Sequence, residues 1–317
     1  MLPDQRPPGR NCPLSYRYAT EALAREPELA ADSLWVAGGL YGNPFALESL
    51  LERYGRERGT KALVFNGDFH WFDAEPELFN LINHQVFGFA ALRGNVETEL
   101  AEPGDGAGCG CAYPEWVDDG TVERSNAIIE RLRAAARDTQ ALAALPMHLV
   151  AQVGAAHIGI VHGDAESLAG WGFSQETLAT PAGTNAARQA FDRAAVAVFA
   201  SSHTCLPVLQ RFGHSRAIVN NGAAGMPNFR GERYGVVTRV SINPCDDALY
   251  RLQCNEIHVE AIALRYDQNA WEKRFLELWP AGTPAHRSYY ERIRNGTSYA
   301  VAQALREELL HEKRQHA

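Results

Sequence analysis

The sequence predicts an α/β fold with two sheets, and three observations carry that expectation. From Ser33 onward short apolar runs alternate with segments of helical spacing, the pattern of a layered α/β domain. The later half adds apolar runs with the alternation of antiparallel strands, more than one sheet accommodates easily. Polar, chemically capable residues gather just after the apolar runs, where open α/β folds place their ligands.

Taken in order, residues 34–37 read as a strand. Asn43 is then the N-cap and Pro44 the first position of a helix whose Leu47, Leu50, Leu51 and Tyr54 share a face. The layout repeats with a strand at 62–65, a loop at 67–73 and a helix carrying Leu78, Phe79, Leu81 and Ile82. A third strand is placed at 87–92, before a Gly-rich excursion at 101–120 and a helix carrying Ile128, Ile129, Leu132 and Ala136. Between Asp138 and Asp164 no residue is charged, yet Pro146, His148, Gln152, Gly154 and His157 break the run. Residues 147–153 and 158–161 therefore read as two buried strands around a Gly turn and not as a membrane span. Strands follow at 196–200, 217–219, 234–242, 249–254 and 256–264. Past Tyr266 the chain turns helical; Trp271, Phe275, Trp279, Tyr289 and Tyr290 serve a C-terminal cap or an interface, and a charged helix closes through Leu309. The expected organisation is a loosely held Pro-rich segment at 1–30, a domain at 31–267 and a helical extension at 268–317.

The chain has 317 residues, 30 basic against 38 acidic, for a net charge of −8, and no run of Lys or Arg supplies the concentrated basic face that phosphate backbones require. That excludes a dedicated nucleic-acid surface. Lys61, Lys273 and Lys313 are the only lysines, so arginine carries nearly all the positive charge, a bacterial-like composition. Residues 1–20 lack an apolar signal core, which points to the cytoplasm. Cys12, Cys109, Cys111, Cys205, Cys245 and Cys254 are accordingly read as buried small residues, ligands or reactive thiols and not as staples.

The strand-end clusters are Gly39-Leu40-Tyr41-Gly42-Asn43, Gly67-Asp68, Gly94-Asn95-Val96-Glu97, His162-Gly163, Ser202-His203-Thr204-Cys205 before Pro207, and Asn220 to Gly225. In this order they resemble the sequence blocks of the calcineurin-like metallophosphoesterases, from about Ser33 to Ile242. The resemblance implies two stacked mixed sheets flanked by helices and hydrolysis of phosphoesters at a two-metal centre. One implied metal is held by Asp68, Asn95, His162 and His203, all of them present. The other falls on Gly39, Tyr41, Asp68 and Cys205, where the family has further ligands; Gly39 offers no ligand atom, so that site is dismantled unless Cys205, Tyr41 and His70 rebuild it. Val96 replaces the family's proton donor.

The resemblance thus implies a hydrolase, a phosphodiesterase or phosphatase, for a small phosphorylated substrate with no membrane partner. Its cofactor is a divalent metal, Mn, Fe or Zn, one per chain with a second open, and the nucleophile is a metal-bound hydroxide. His70, Asn95 and His203 are the expected catalytic residues, with His70 as substitute proton donor. Asn43, at a helix N-terminus, and Arg93 are the expected phosphate contacts. The alternatives are a catalytically inactive binding platform, or a metal or thiol sensor built on Cys109, Cys111 and Cys205.

Overall fold

Alternation along the strands sorts their side chains into layers. Along Ser33–Ala37, Leu34 and Val36 turn one way and Trp35 and Ala37 the other, and both sets are buried. A strand covered on both faces needs the near-continuous apolar run seen here. The computed structural model describes residues 6–102 and 106–307. In it a six-stranded sheet runs in the order Tyr250–Cys254, Ile257–Leu264, Gly235–Ser241, Ser33–Ala37, Lys61–Asn66, Ala90–Leu92. The last three strands are parallel, with Val36 opposite Val64 and Asn66 opposite Leu92; the others are antiparallel.

A seven-stranded sheet has the order Leu29–Ala31, His148–Val153, Ala156–Val161, Val198–Ser201, Arg216–Asn220, Val208–Phe212, Leu305–Arg306. Leu34, Val36, Val64 and Leu92 meet Ile158, Ile160, Val198 and Ala200 between the sheets. The outer face of the six-stranded sheet packs Trp35, Leu63 and Phe65 under helices Pro44–Gly55, Pro76–Val86 and Gln268–Leu278 through Leu47, Phe79 and Phe275. Val150, Phe199 and Ile218 face helix Pro181–Ala194 through Phe191 on the other side. The expected two-sheet α/β architecture is therefore what the chain adopts.

Several local expectations need correction. The third strand is only Ala90–Leu92, because Phe87 instead caps helix Pro76–Val86. Residues 6–30 are not loosely held: Tyr16 and Leu23 are buried, and Leu29–Ala31 pairs in parallel with Ala151 to Val153. The charged closing helix is replaced by a 3-10 turn at Val301–Gln303 and the short strand Leu305–Arg306. Helix Pro284–Asn295 ends at Gly296 with φ 75°, and Arg306 is held by the Gln175 carbonyl oxygen at 2.6 Å. Leu309 lies outside the described residues. The uncharged stretch is the hairpin of His148–Val153 and Ala156–Val161 around Gly154, whose φ is +58°. Among the described residues no helix is long and apolar enough to cross a membrane.

One buried ion cluster fixes the six-stranded sheet. Arg239 donates to both carboxylate oxygens of Glu57, at 2.8 and 2.9 Å, and to Glu260 at 2.6 Å. The hydrogen bonds from Arg239 outweigh burial and hold the Glu57 carboxyl below its ordinary 4.5. A lowered folded-state pKa gives stability that is present above 4.5 and lost as the pH falls through the lower value. Glu57→Gln is therefore expected to cost about 2 kcal/mol at pH 7. It should also shrink the stability difference between pH 7 and acid, measured by denaturant unfolding at both.

Candidate metal centre

Three parallel strand ends and two from the other sheet deliver the polar loops to one rim. Asp68 follows strand Lys61–Asn66, Asn95 opens helix Asn95–Ala101, His162 follows Ala156–Val161 and His203 follows Val198–Ser201. Their close approach depends on glycine. A Cβ on Gly67, whose φ is +72°, would sit 2.5 Å from the Gly94 nitrogen and 2.6 Å from His162 Nδ1. One on Gly94 would lie 2.3 Å from Asp68 Oδ1. Asp68 itself holds φ 51°, a strained backbone position that the surrounding bonds enforce. Val96 N–H donates to its Oδ1 at 3.2 Å, and its own N–H donates to Glu97 at 2.8 Å.

Bonds to main-chain carbonyls decide which ring nitrogens carry hydrogen. His162 Nδ1 donates to the Asn66 carbonyl at 2.8 Å, and His203 Nε2 donates to the Cys111 carbonyl at 3.0 Å. That leaves His162 Nε2 and His203 Nδ1 facing each other at 3.3 Å. His162 Nε2 is also 3.3 Å from Asp68 Oδ1 and 3.3 Å from Asn95 Oδ1. The Asn95 amide is oriented by donation from Nδ2 to the Cys109 carbonyl at 2.8 Å. Two imidazole nitrogens, a carboxylate and an amide oxygen thus converge on one point, and the Asp68, His162 and His203 ligand atoms all lie within 4.8 Å of one another. Such a set of lone pairs fits a divalent cation.

The contacts within the cluster set its charges. Burial is the largest influence on Asp68 and opposes its charge, but His162 overrides it and the Asp68 pKa is lowered. Burial likewise opposes charge on His162, and Asp68 overrides it upward. Burial first, and then His162, push His203 down to about 4, so its imidazole is neutral and fit to ligate.

At the second expected metal position the side chains present are bonded to each other. The Tyr41 hydroxyl lies 2.7 Å from Cys205 Sγ, and the Tyr41 ring covers Gly39, where a Cβ would meet ring carbons at 2.9 Å. Burial, ahead of other influences, pushes both the Tyr41 phenol and the Cys205 thiol up. Gly39→Asp is expected to destabilise the chain without adding a metal, since Gly39 has φ +64° and no room for a side chain. Elemental analysis and thermal unfolding of that variant check this.

Three expected site residues are placed elsewhere. His70 is fully buried, with Nδ1 on Asp73 at 2.5 Å, Nε2 on Asn83 at 2.8 Å and its ring stacked on Phe79 at 3.8 Å, so it neither donates to a substrate nor rebuilds a metal site. Asn43 spends its Oδ1 capping Phe45 and Ala46, and its Nδ2 on the Gly225 carbonyl, and it is fully buried. Arg93 Nη1 donates to the Ala143 carbonyl at 3.3 Å. Cys109 and Cys111, expected as unpaired, form a disulfide, because Gly110 at φ +68° reverses the chain between them.

Other residues were not singled out by sequence reasoning. Glu97 is buried and accepts from the N–H groups of Asp68, Gly94 and His70, at 2.8, 2.9 and 3.3 Å, tying two ligand loops together. Its place at the third position of a helix was the available signal. A cavity of about 150 Å³ opens above the ligands, lined by Tyr41, Asp68, Trp71, Asn95, Val96, Cys111, Tyr113, Trp171, His203, Thr204, Cys205 and Tyr289. Tyr289 reaches it from helix Pro284–Asn295, so the C-terminal extension closes one wall. Among the described residues no Lys or Arg lines it, and Arg292 is turned onto the carbonyls of Cys205 and Pro227 at 2.8 and 2.7 Å.

No family model matches the chain, and no curated protein matches it. Solved structures do. A metallophosphoesterase from Sphaerobacter thermophilus, 16% identical, superposes over 84% of this chain and 100% of its own with a TM-score of 0.53. A hypothetical protein from Pyrococcus horikoshii, 17% identical, covers 85% of this chain and 100% of its own with a TM-score of 0.56. The two likenesses concern the fold.

Proposed function

We propose that this chain, which has the metallophosphoesterase fold, is a single-metal phosphodiesterase acting on a small substrate with an apolar leaving group. The observation that carries the reading is the convergence of Asp68, Asn95, His162 and His203 on one point, with the hydrogens of both imidazoles committed elsewhere. A divalent metal held there supplies Lewis acidity toward the phosphoryl oxygens and acidifies a water. The rest falls to the chain. Its cavity has no cationic side chain, which disfavours the dianion of a phosphomonoester relative to the monoanion of a diester. Burial, ahead of other influences, raises the Tyr41 and Tyr113 phenols well above their usual value and pushes Tyr289 up to about 12, so all three remain hydrogen-bond donors. Trp71, Trp171 and Val96 offer apolar area to a leaving group. Val96 cannot protonate that group, so a leaving group stable as its anion is favoured.

The Tyr41–Cys205 bond and the crowded Gly39, where the family has further ligands, also favour a metal-dependent binding platform without turnover. The two readings separate on one assay. Bis(4-nitrophenyl) phosphate and 4-nitrophenyl phosphate are offered to the protein with Mn²⁺ or Zn²⁺, and the diester is expected to turn over at least about tenfold faster, a difference of about 1.4 kcal/mol. Metal-dependent binding of phosphate with no turnover of either ester would select the platform; faster monoester turnover would contradict the diester assignment.

A further inference from the structure

The Cys109-Gly110-Cys111 loop plays no part in that chemistry, yet its disulfide is present while Cys12, Cys205, Cys245 and Cys254 are free. Bridging two residues separated by one glycine closes almost no loop, and stabilisation of the unfolded-state kind grows with the loop closed. The pair is therefore poorly explained as a staple. Its position is more informative. The Cys109 carbonyl accepts from Asn95 Nδ2 at 2.8 Å, and the Cys111 carbonyl accepts from His203 Nε2 and Trp171 Nε1, each at 3.0 Å. Each half of the disulfide thus orients one member of the metal cluster through its main chain. Gly110 presses on the same ligand: a Cβ there would come within 3.1 Å of Asn95 Cβ and 2.4 Å of the Tyr16 hydroxyl. Cys111 lines the cavity, whereas Cys109 is fully buried behind it.

We infer that Cys109 and Cys111 form a reversible redox modification site that sets the metal affinity of the Asp68, Asn95, His162 and His203 cluster, an inference that rests on the metal-centre reading above. A small monothiol of the glutathione class is the co-reactant. Its thiolate enters the cavity and attacks Cys111 Sγ; the bond to Cys109 breaks and Cys109 leaves as a thiolate that takes up a proton. A second thiolate attacks the external sulfur of the mixed disulfide and releases Cys111, which is also protonated. Two monothiols are oxidised to one disulfide, and the protein pair gains two electrons and two protons. The disulfide form holds both carbonyls on their ligands; the dithiol form frees the loop to turn them away. Outer-shell partners of this kind are worth roughly 10- to 100-fold in metal affinity, so reduction is expected to weaken binding by roughly tenfold or more. By reciprocity the metal shifts the thiol–disulfide balance by the same factor.

The test equilibrates the full-length protein in glutathione buffers with and without saturating Mn²⁺, traps thiols by alkylation and counts them by mass, with bound Mn²⁺ measured in parallel. The expected result is a pair that opens and closes with the buffer and needs roughly tenfold more reducing conditions when Mn²⁺ is bound. In the Cys109→Ser/Cys111→Ser variant Mn²⁺ affinity should match the reduced form and ignore the buffer. In His203→Ala the pair should still cycle, with no response to Mn²⁺. A pair that never opens, or one that cycles without response although Mn²⁺ binds, overturns the inference and leaves the metal centre standing. Absence of Mn²⁺ from both redox forms overturns the metal reading, and this inference with it.

Discussion

Alanine at His203 is expected to empty the metal centre and to lower phosphodiester turnover about a thousandfold. His203 presents the Nδ1 lone pair that faces His162 Nε2 at 3.3 Å, and its other nitrogen is committed to the Cys111 carbonyl. Among the described residues Cys205, two positions on, is tied to Tyr41 and is not part of the Asp68, His162 and His203 group. Removing the metal withdraws several kcal/mol of charge stabilisation at the phosphoryl group. About 4 kcal/mol corresponds to about three powers of ten in rate. Metal content and turnover are measured together. Turnover within a few fold of the parent in a metal-free variant would contradict a metal-dependent reaction.

His70→Ala is expected to fail in the opposite way, lowering stability by about 3 kcal/mol or more while metal content in the folded fraction is kept. His70 and Asp73 are both fully buried, and the substitution strands the Asp73 carboxylate without its partner. It also removes the ring stacked on Phe79 and the partner of Asn83. Denaturant unfolding at neutral pH gives the size of the loss. A variant as stable as the parent but impaired in turnover, with one limb missing from its pH–rate profile, would instead make His70 a proton donor.

The contrast between these two histidines shows what was legible in the sequence. Asp68, Asn95, His162 and His203 are legible because their loops follow apolar strands, whose ends share a rim, and because in order these loops resemble the metallophosphoesterase blocks. His70 stands only two residues beyond Asp68, but Phe69 and His70 turn inward, where Asp73 and Asn83 wait; nothing in its local spacing marks that turn. Asn43 reads as an N-cap, and that duty takes up the side-chain oxygen and the helix N–H groups that a phosphate would need. The aromatic wall was not legible because Trp71, Tyr113, Trp171 and Tyr289 lie far apart in sequence and meet only through tertiary packing. Strand Val208–Phe212 escaped because Gln210 and Arg211 interrupt its apolar run, although Gln210 is buried against the Leu178 carbonyl. The Cys109 and Cys111 pairing depended on one positive φ at Gly110, which residue spacing does not report.

One metal is expected on the cluster of two histidines, an aspartate and an asparagine, beside the Tyr41–Cys205 pair. Elemental analysis of untagged protein purified without chelator, for the parent and for Cys205→Ser, tests it most directly. About one metal per chain is expected in both, because Cys205 lies outside the Asp68, His162 and His203 group. Two metals in the parent, with one lost in Cys205→Ser, would contradict it.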